Sequence, residues 1–331
     1  MSTTDKPEQL TFSDDPMLNE LNFACKDIEE GSFRAAAERL DRLMDVNPDY
    51  PGLAAGYRAA RFWLSRTEET ALPSKGKKTA DYLMSEWEAF EKYAQDKAMT
   101  GSAAFKAAMH FVYHTASENY RLAFMLQEDT SGNFDLLLNL GSCFLRLGDY
   151  QKTVETLEYA AKSYNPNAKL LVILAEAYYH LKETSKSLLY FREAFFISPS
   201  DIDLDIITAE PIVELAEHIR TVRPDCLDVR EWIAVYGFIT GTLYVRKNVQ
   251  NKRQVDMVKE QCYKLELSYQ RLGKDQLNNN NVLPRLLARY LWLLDYFEFQ
   301  ENNYRDIEQI RDRLLQIDKP MFEDFLRKSR K

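Results

Sequence analysis

Two similar helical stretches lie 34 residues apart, and this internal repeat constrains the fold more than any other property of the chain. The copies lie within LNLGSCFLRLGDYQKTVETLEYAAKSYNP (138–166) and LVILAEAYYHLKETSKSLLYFREAFFISP (171–199), and their matching residues are 34 apart. At this spacing five pairs of apolar or small residues match: Gly141/Ala175, Phe144/Tyr178, Leu147/Leu181, Leu157/Phe191 and Ala160/Ala194. A fixed period of this length indicates stacked supersecondary units, each of which must bury its apolar face against a neighbour.

Two glycines in the first stretch indicate what each unit is. Gly148 separates two apolar-periodic segments, so it predicts a left-handed helix end and a tight turn between antiparallel helices. Gly141 lies inside the first helix, where a glycine costs about 1 kcal/mol relative to alanine. We interpret Gly141, with Ala175 in the second copy, as the small residue that lets another helix approach closely.

The pair resembles the tetratricopeptide repeat family over residues 134–200. The family pattern has small residues at positions 8, 20 and 27, aromatics at 11 and 24, and proline at 32. Phe134 and Ala168 would be the two position-1 residues, and Pro199 closes the second copy. The chain departs from the pattern at position 20, which is Thr153 or Ser187, and Pro166 lies one residue late.

Weaker copies extend the resemblance towards both ends. Residues 17–48 carry the family's small, apolar and proline positions, although Asp27 replaces the aromatic at position 11. Residues 293–320 have the closing proline but lack the small residues, so 288–320 is a degenerate candidate. The resemblance implies an all-α fold, an α-α superhelix of antiparallel hairpins with a helical C-terminal extension.

The resulting organisation has four parts. Residues 1–15 are polar and without period, and we expect disorder there. Residues 16–130 would hold the N-terminal repeat and degenerate hairpins, 131–200 the two clear repeats, and 201–331 the C-terminal helical region. Within the last part, Ser200 and Thr208 are expected N-caps of helices at 201–206 and 209–222. A long helix is predicted at 242–272, because it contains a seam of residues spaced three and four apart. The seam consists of Val255, Val258, Cys262, Leu265, Tyr269 and Leu272.

Composition narrows the function classes. The 331 residues carry a formal net charge of −8, which disfavours nucleic acid as the main partner because phosphate contacts need a basic face. The chain shows neither a membrane-spanning apolar run nor a signal pattern at its start, so we expect a cytoplasmic protein without membrane insertion. The four dispersed cysteines fit a reducing compartment. Oligomeric state stays open.

No converging catalytic motif is visible, so we expect no enzyme and no cofactor. The one metal candidate is His110, His114 and Glu118, spaced four apart on a single helical face. His110 is not followed by the glutamate of the zinc-protease pattern, and both histidines lie in an apolar aromatic run. We therefore expect this set to pack rather than to bind a metal.

The family resemblance implies the function. In this family, the first helices of the hairpins line a concave groove that binds a peptide or helix of another protein. The groove positions 5, 9, 12 and 13 are here Leu138, Ser142, Leu145, Arg146, Val172, Glu176, Tyr179 and His180. We expect a non-catalytic scaffold or adaptor that assembles a protein complex.

Three alternatives remain. The solenoid could enclose a small hydrophobic ligand, or hold an enzymatic site that no motif reveals. The C-terminal helices could also fold back and fill the groove. A chaperone-binding carboxylate clamp is disfavoured, because its lysine and asparagine positions hold Leu138 and Ser142, or Leu21 and Cys25 in the N-terminal copy.

Overall fold

The computed structural model describes residues 15–67, 75–127, 133–243, 252–273, 280–301 and 303–329. The described residues form fifteen α-helices and no strand, so the predicted all-α class is confirmed. The expected disorder of the N-terminal segment concerns residues outside these ranges, apart from Asp15. Among the described residues, no helix is long and apolar enough to cross a bilayer.

The chain divides into two compact units, and the boundary falls between Asp149 and Tyr150. The N-terminal unit contains α1 (Pro16–Glu29), α2 (Phe33–Val46), α3 (Leu53–Thr67), α4 (Lys77–Asp96), α5 (Ala103–Met125) and α6 (Asn133–Arg146). The C-terminal unit contains α7 (Tyr150–Ser163), α8 (Ala168–His180), α9 (Thr184–Ile197), α10 (Glu210–Val222), α11 (Val229–Thr240), α12 (Lys252–Arg271), α13 (Val282–Tyr296), α14 (Tyr304–Ile317) and α15 (Lys319–Ser329). The boundary separates the two helices that the sequence assigned to one repeat.

In the N-terminal unit, α5 is the central helix. It packs against α1, α3, α4 and α6. The contact between α5 and α1 joins helices far apart in the sequence, so this unit is not a simple stack in which each helix contacts only its sequence neighbours. Gly31, in the turn between α1 and α2, has φ 79°, and an added Cβ would lie 2.6 Å from the Phe111 ring of α5. Glycine is therefore required there both for the turn and for the close approach.

The core of this unit is largely aromatic. Phe33, Trp63 and Phe90 are fully buried. Phe33 meets the Phe111 ring edge-on at 4.8 Å, and Trp63 lies 5.5 Å from Phe90, both common geometries for aromatic pairs.

In the C-terminal unit, α7, α8 and α9 pack as successive antiparallel neighbours, and α11 is central to the rest. Helix α11 contacts α9, α10, α13 and α15, and eight of its twelve residues are buried. Helix α15 is the last helix of this unit, and its Phe322 is fully buried.

Two local predictions have clear outcomes. Gly148 has φ 77° and its N–H donates to the Leu145 carbonyl, which confirms the turn after α6. The helix predicted at 201–206 is wrong: the segment forms two short 3-10 turns, Pro199–Asp201 and Leu204–Ile206, joined by extended residues. The side chain of Asp203 accepts from the Asp205 N–H, which holds the second turn and competes with helix formation.

The long C-terminal helix is shorter than predicted within the described ranges. Helix α11 ends at Gly241, which has φ 83°, and α12 begins at Lys252. Residues 244–251 of the predicted helix lie outside the described residues. The predicted seam is correct in α12, where Val255, Val258 and Cys262 are buried and the helix packs against α13.

Candidate functional site

The groove residues predicted on α6 differ in exposure. Leu138, Ser142 and Leu145 are half-buried and Arg146 is exposed. The Ser142 hydroxyl donates to the Leu138 carbonyl of its own helix at 2.9 Å, so it is already satisfied. Gly141 is buried, and its role in a close helix crossing stays a prediction.

The groove residues predicted on α8 require a correction. Tyr179 and His180 are half-buried, but Val172 and Glu176 each retain only 1% of their surface. These two side chains therefore offer no surface to a partner in the structure. The burial of Glu176 has a specific cause, the segment that follows the second repeat.

Residues 198–209, which we call the strap, are tied to α8 through Glu176. The Glu176 carboxylate accepts from the backbone N–H of Thr208 at 2.7 Å and of Ala209 at 3.3 Å, and it also accepts from the Thr208 hydroxyl. Helix α10 begins at Glu210, and its N-cap residue, Ala209, has no side chain that could cap it. The Glu176 carboxylate, which comes from α8, therefore takes the place of an N-cap side chain at the start of α10. Thr208 is thus not the N-cap expected from sequence.

The other end of the strap is tied to α11. Arg230 donates to the carbonyls of Ser200 at 2.9 Å and Ile202 at 3.0 Å. Ile202 and Ile207 are buried between these two ties. The chain therefore covers part of the α8 face with its own extended segment, as in one of the alternatives left open, although a strap and not the C-terminal helices covers it.

His180 belongs to the same cluster. Its Nε2 lies 2.9 Å from the Thr208 hydroxyl and 3.3 Å from Glu176, and its ring stacks on Tyr150 at 4.2 Å. The Thr208 hydroxyl and the Glu176 carboxylate both lie near the same ring nitrogen. In a catalytic triad the hydroxyl and the acid contact opposite nitrogens of the histidine, so this cluster is not arranged as a triad. The cluster fastens the strap.

The metal candidate does not converge. The Glu118 carboxylate pairs with Arg121 at 2.6 Å, and His110 Nδ1 lies 3.3 Å from Glu29. The rings of His110 and His114 stack at 5.8 Å. Within the described ranges, no group of three histidine, cysteine or acidic side chains could hold one ion.

An open groove lies between α12 and α14, above α13, and we call it the C-terminal groove. Its α12 wall consists of Lys259, Cys262, Tyr263 and Glu266, at spacings of three, one and three residues. Its α14 wall has the same periodicity, with Asp306, Gln309, Ile310 and Arg313. Residues spaced in this way share one helical face, so each wall is a continuous surface about two turns long.

The floor of the C-terminal groove is apolar. Tyr290 and Leu293 of α13 are buried beneath it, together with Cys262 and Ile310 of the walls. Burial raises the pKa of the Cys262 thiol to about 12, so this cysteine packs as a small apolar group. The pKa of Tyr290 is raised by burial and by its hydrogen bond to Glu266, so its hydroxyl stays protonated.

The rim is charged, with both signs on each wall. Lys259 lies 3.7 Å from Asp306, and Arg313 lies 3.4 Å from Glu266. Both pairs join α12 to α14 and are partly exposed, so they are weak and readily exchanged. Tyr263 projects at the α12 rim with 63% of its surface exposed, and Leu267, one turn further, is also exposed.

Sequence reasoning identified the buried seam of α12 but not this groove. Cys262 belongs to both the seam and the wall, but the other wall positions, Lys259, Tyr263 and Glu266, each follow a seam residue by one and carry no apolar pattern of their own. The available signal was a tyrosine and a leucine, Tyr263 and Leu267, four apart on an otherwise charged face.

A small cavity between α9, α11 and α13 bears on the alternative of an enclosed hydrophobic ligand. It is lined by Arg192, Phe196, Phe238, Leu291 and Trp292 among others, and its volume is about 20 Å³. A cavity of this size holds about one water molecule. This cavity does not fit a hydrophobic ligand.

Comparisons with protein-family models, with curated proteins and with solved structures find no match for this chain. The tetratricopeptide resemblance therefore stays a prediction carried by the residues quoted for it.

Proposed function

We propose that the protein is a non-catalytic adaptor that binds an amphipathic helix of another protein in the C-terminal groove. The observation that carries the proposal is the groove itself: two helical walls with matching periodicity over an apolar floor. A third helix fits such a surface because its side chains, spaced three and four apart, interdigitate with both walls. The proposal keeps the adaptor role that the repeat resemblance implies, but it assigns partner binding to the C-terminal groove and not to the predicted groove on α6 and α8.

The charges of the rim specify the partner further. Each ion pair across the groove can be exchanged for a pair with the incoming helix, at little cost because both are partly exposed. The partner helix would carry an apolar stripe flanked by acidic and basic side chains. Tyr263, a large and exposed aromatic at the rim, is the expected anchor, since tyrosine is enriched among the residues that dominate binding energy.

A pull-down with paired variants tests the proposal. Tagged protein is recovered from cells that express it, and bound proteins are quantified by mass spectrometry. Truncating an aromatic anchor costs about 2 kcal/mol or more, roughly thirtyfold in affinity. We expect the partner recovered by the wild type to be lost with Tyr263→Ala/Leu267→Ala and kept with Tyr159→Ala, a matched control because Tyr159 is similarly exposed on α7.

The variant Tyr179→Ala/Arg146→Ala separates this proposal from the repeat-face hypothesis. Both residues are at least partly exposed, so the fold should survive their truncation. Loss of the partner with this variant, but not with the groove variant, would place binding on the repeat face. Equal recovery by all variants would reject an adaptor that uses either surface.

A further inference from the structure

Five arginines of the C-terminal unit are half-buried among the described residues, and four of them face a carboxylate. Arg192 pairs with Asp295 at 2.7 Å and Arg230 with Asp228 at 2.8 Å. The remaining two pairs are Arg223 with Asp318 and Arg285 with Glu231. Arg289 is the exception.

Arg289 lies on α13, one turn after Arg285, and among the described residues its hydrogen-bond partner is a neutral side chain. Its Nε donates to the Gln261 amide oxygen at 2.8 Å, and its guanidinium lies 4.0 Å above the Phe196 ring. The Phe196 ring in turn stacks on Trp292. Burial and, to a smaller extent, the positive charge of Arg285 lower the pKa of Arg289 to about 10, against the opposing effect of the Glu231 carboxylate. The group therefore stays charged at neutral pH in a setting that disfavours its charge.

A half-buried guanidinium without a direct ion-pair partner is costly, because the water it has lost is not replaced by a charged hydrogen-bond acceptor. The Arg289 Nε is held by Gln261 and its plane by Phe196, so the two terminal nitrogens are oriented in advance. This is the geometry that accepts a carboxylate through two parallel hydrogen bonds.

We propose that Arg289, stacked on Phe196 beside Trp292, binds an aspartate or glutamate carboxylate of a protein partner. This inference rests on the proposed adaptor function and adds a second contact, on the side of α12 where Gln261 lies. A carboxylate fits better than a phosphate dianion, because Arg285 is already neutralised by Glu231 and only one positive charge is uncompensated. Arginine and partly buried aromatics are the residue types that dominate interface energies.

The site is tested first without any partner. The side-chain Nε–H resonances of the full-length protein are followed by NMR during titration with sodium acetate at constant ionic strength. The Arg289 resonance is identified by its loss in Arg289→Lys. We expect it to shift saturably, with an apparent affinity about tenfold higher than that of the exposed control Arg271.

Two outcomes of the titration would overturn the proposal. A linear, unsaturated shift at Arg289 would show that the guanidinium is simply hydrated. A saturable shift with inorganic phosphate but not with acetate would show that the site takes a different anion.

The pull-down provides the second arm, with Arg289→Gln compared with Arg271→Gln. We expect at least a tenfold loss of the partner with the first and none with the second, while thermal melts show both to be folded. Retention of the partner by Arg289→Gln, together with its loss in the Tyr263→Ala/Leu267→Ala variant, would overturn the carboxylate contact and leave the adaptor proposal intact. If the groove variant loses no partner, the adaptor proposal fails, and the acetate titration alone still decides whether Arg289 is an anion site.

Discussion

The two units of the chain have differently built cores. The described part of the N-terminal unit buries no carboxylate, and its largest buried groups are aromatic rings gathered around α5. The C-terminal unit buries Glu176, Glu231 and Asp295, and each accepts hydrogen bonds from another element. Burial of apolar area is non-directional, whereas a buried charge is stable only with its partner in place. The first core is therefore specified by shape and area, the second also by the pairing of particular residues.

The difference bears on where specificity arises. An apolar core tolerates many packings of similar volume, while a buried ion pair excludes arrangements that separate its members. In the C-terminal unit, Arg192–Asp295 joins α9 to α13 and Arg285–Glu231 joins α13 to α11. We infer that these pairs fix α13, which forms the floor of the C-terminal groove, against α9 and α11. Glu176 has a different role, because it holds the strap.

The largest expected effect tests the aromatic core. Phe33→Ala removes a fully buried ring in contact with Trp63 and Phe111. Such truncations cost about 3–5 kcal/mol because a cavity remains. We expect hydrogen exchange measured by mass spectrometry to accelerate across α1–α5, with little change in α11 and α13. Equal acceleration in both units would show that they unfold together. The two cores would then differ in amino-acid composition but not in stability.

The second prediction tests the charged core. Arg192→Met leaves Asp295, only 6% exposed, without this ion-pair partner. Breaking a buried pair from one side costs about 3–5 kcal/mol, and the lower end applies here because Arg192 is partly accessible. We expect Arg192→Met/Asp295→Leu to recover most of the lost stability in denaturant unfolding, since no unpaired charge remains.

The Arg192→Met/Asp295→Leu variant tests whether the cores of the two units differ in how they are specified. If it is as unstable as the single variant, the cost comes from lost packing, and the C-terminal core behaves like the N-terminal one. If it recovers stability but loses protection in α13, the ion pair is a determinant of arrangement.

The smallest effect concerns a polar atom in the second repeat. The Ser187 hydroxyl is fully buried and makes no hydrogen bond to any residue that the structure describes. Replacing it by alanine removes an unsatisfied polar group and should stabilise the protein by about 1 kcal/mol. Thermal melting of Ser187→Ala measures this; a lower melting temperature would mean that the hydroxyl fills space that a methyl group leaves empty.

The sequence by itself determined most of the helices and the position of their apolar faces. Apolar periodicity predicted α6 to α9 and the α12 seam, and Gly148 predicted the turn between α6 and α7. These features could be predicted because they depend on interactions between residues close together in the sequence. The same local signals failed at 201–206, where Asp203 and long-range contacts override helix formation.

Only the tertiary structure decided which helical faces stay open. Val172 and Glu176 have the spacing of groove residues, yet a segment some thirty residues later covers Glu176 through its own amides. The C-terminal groove and the unpaired Arg289 likewise depend on which helices pack around α13. Periodicity within one helix shows which residues share a face, but whether that face is covered depends on contacts between residues far apart in the chain, and a local pattern carries no information about those.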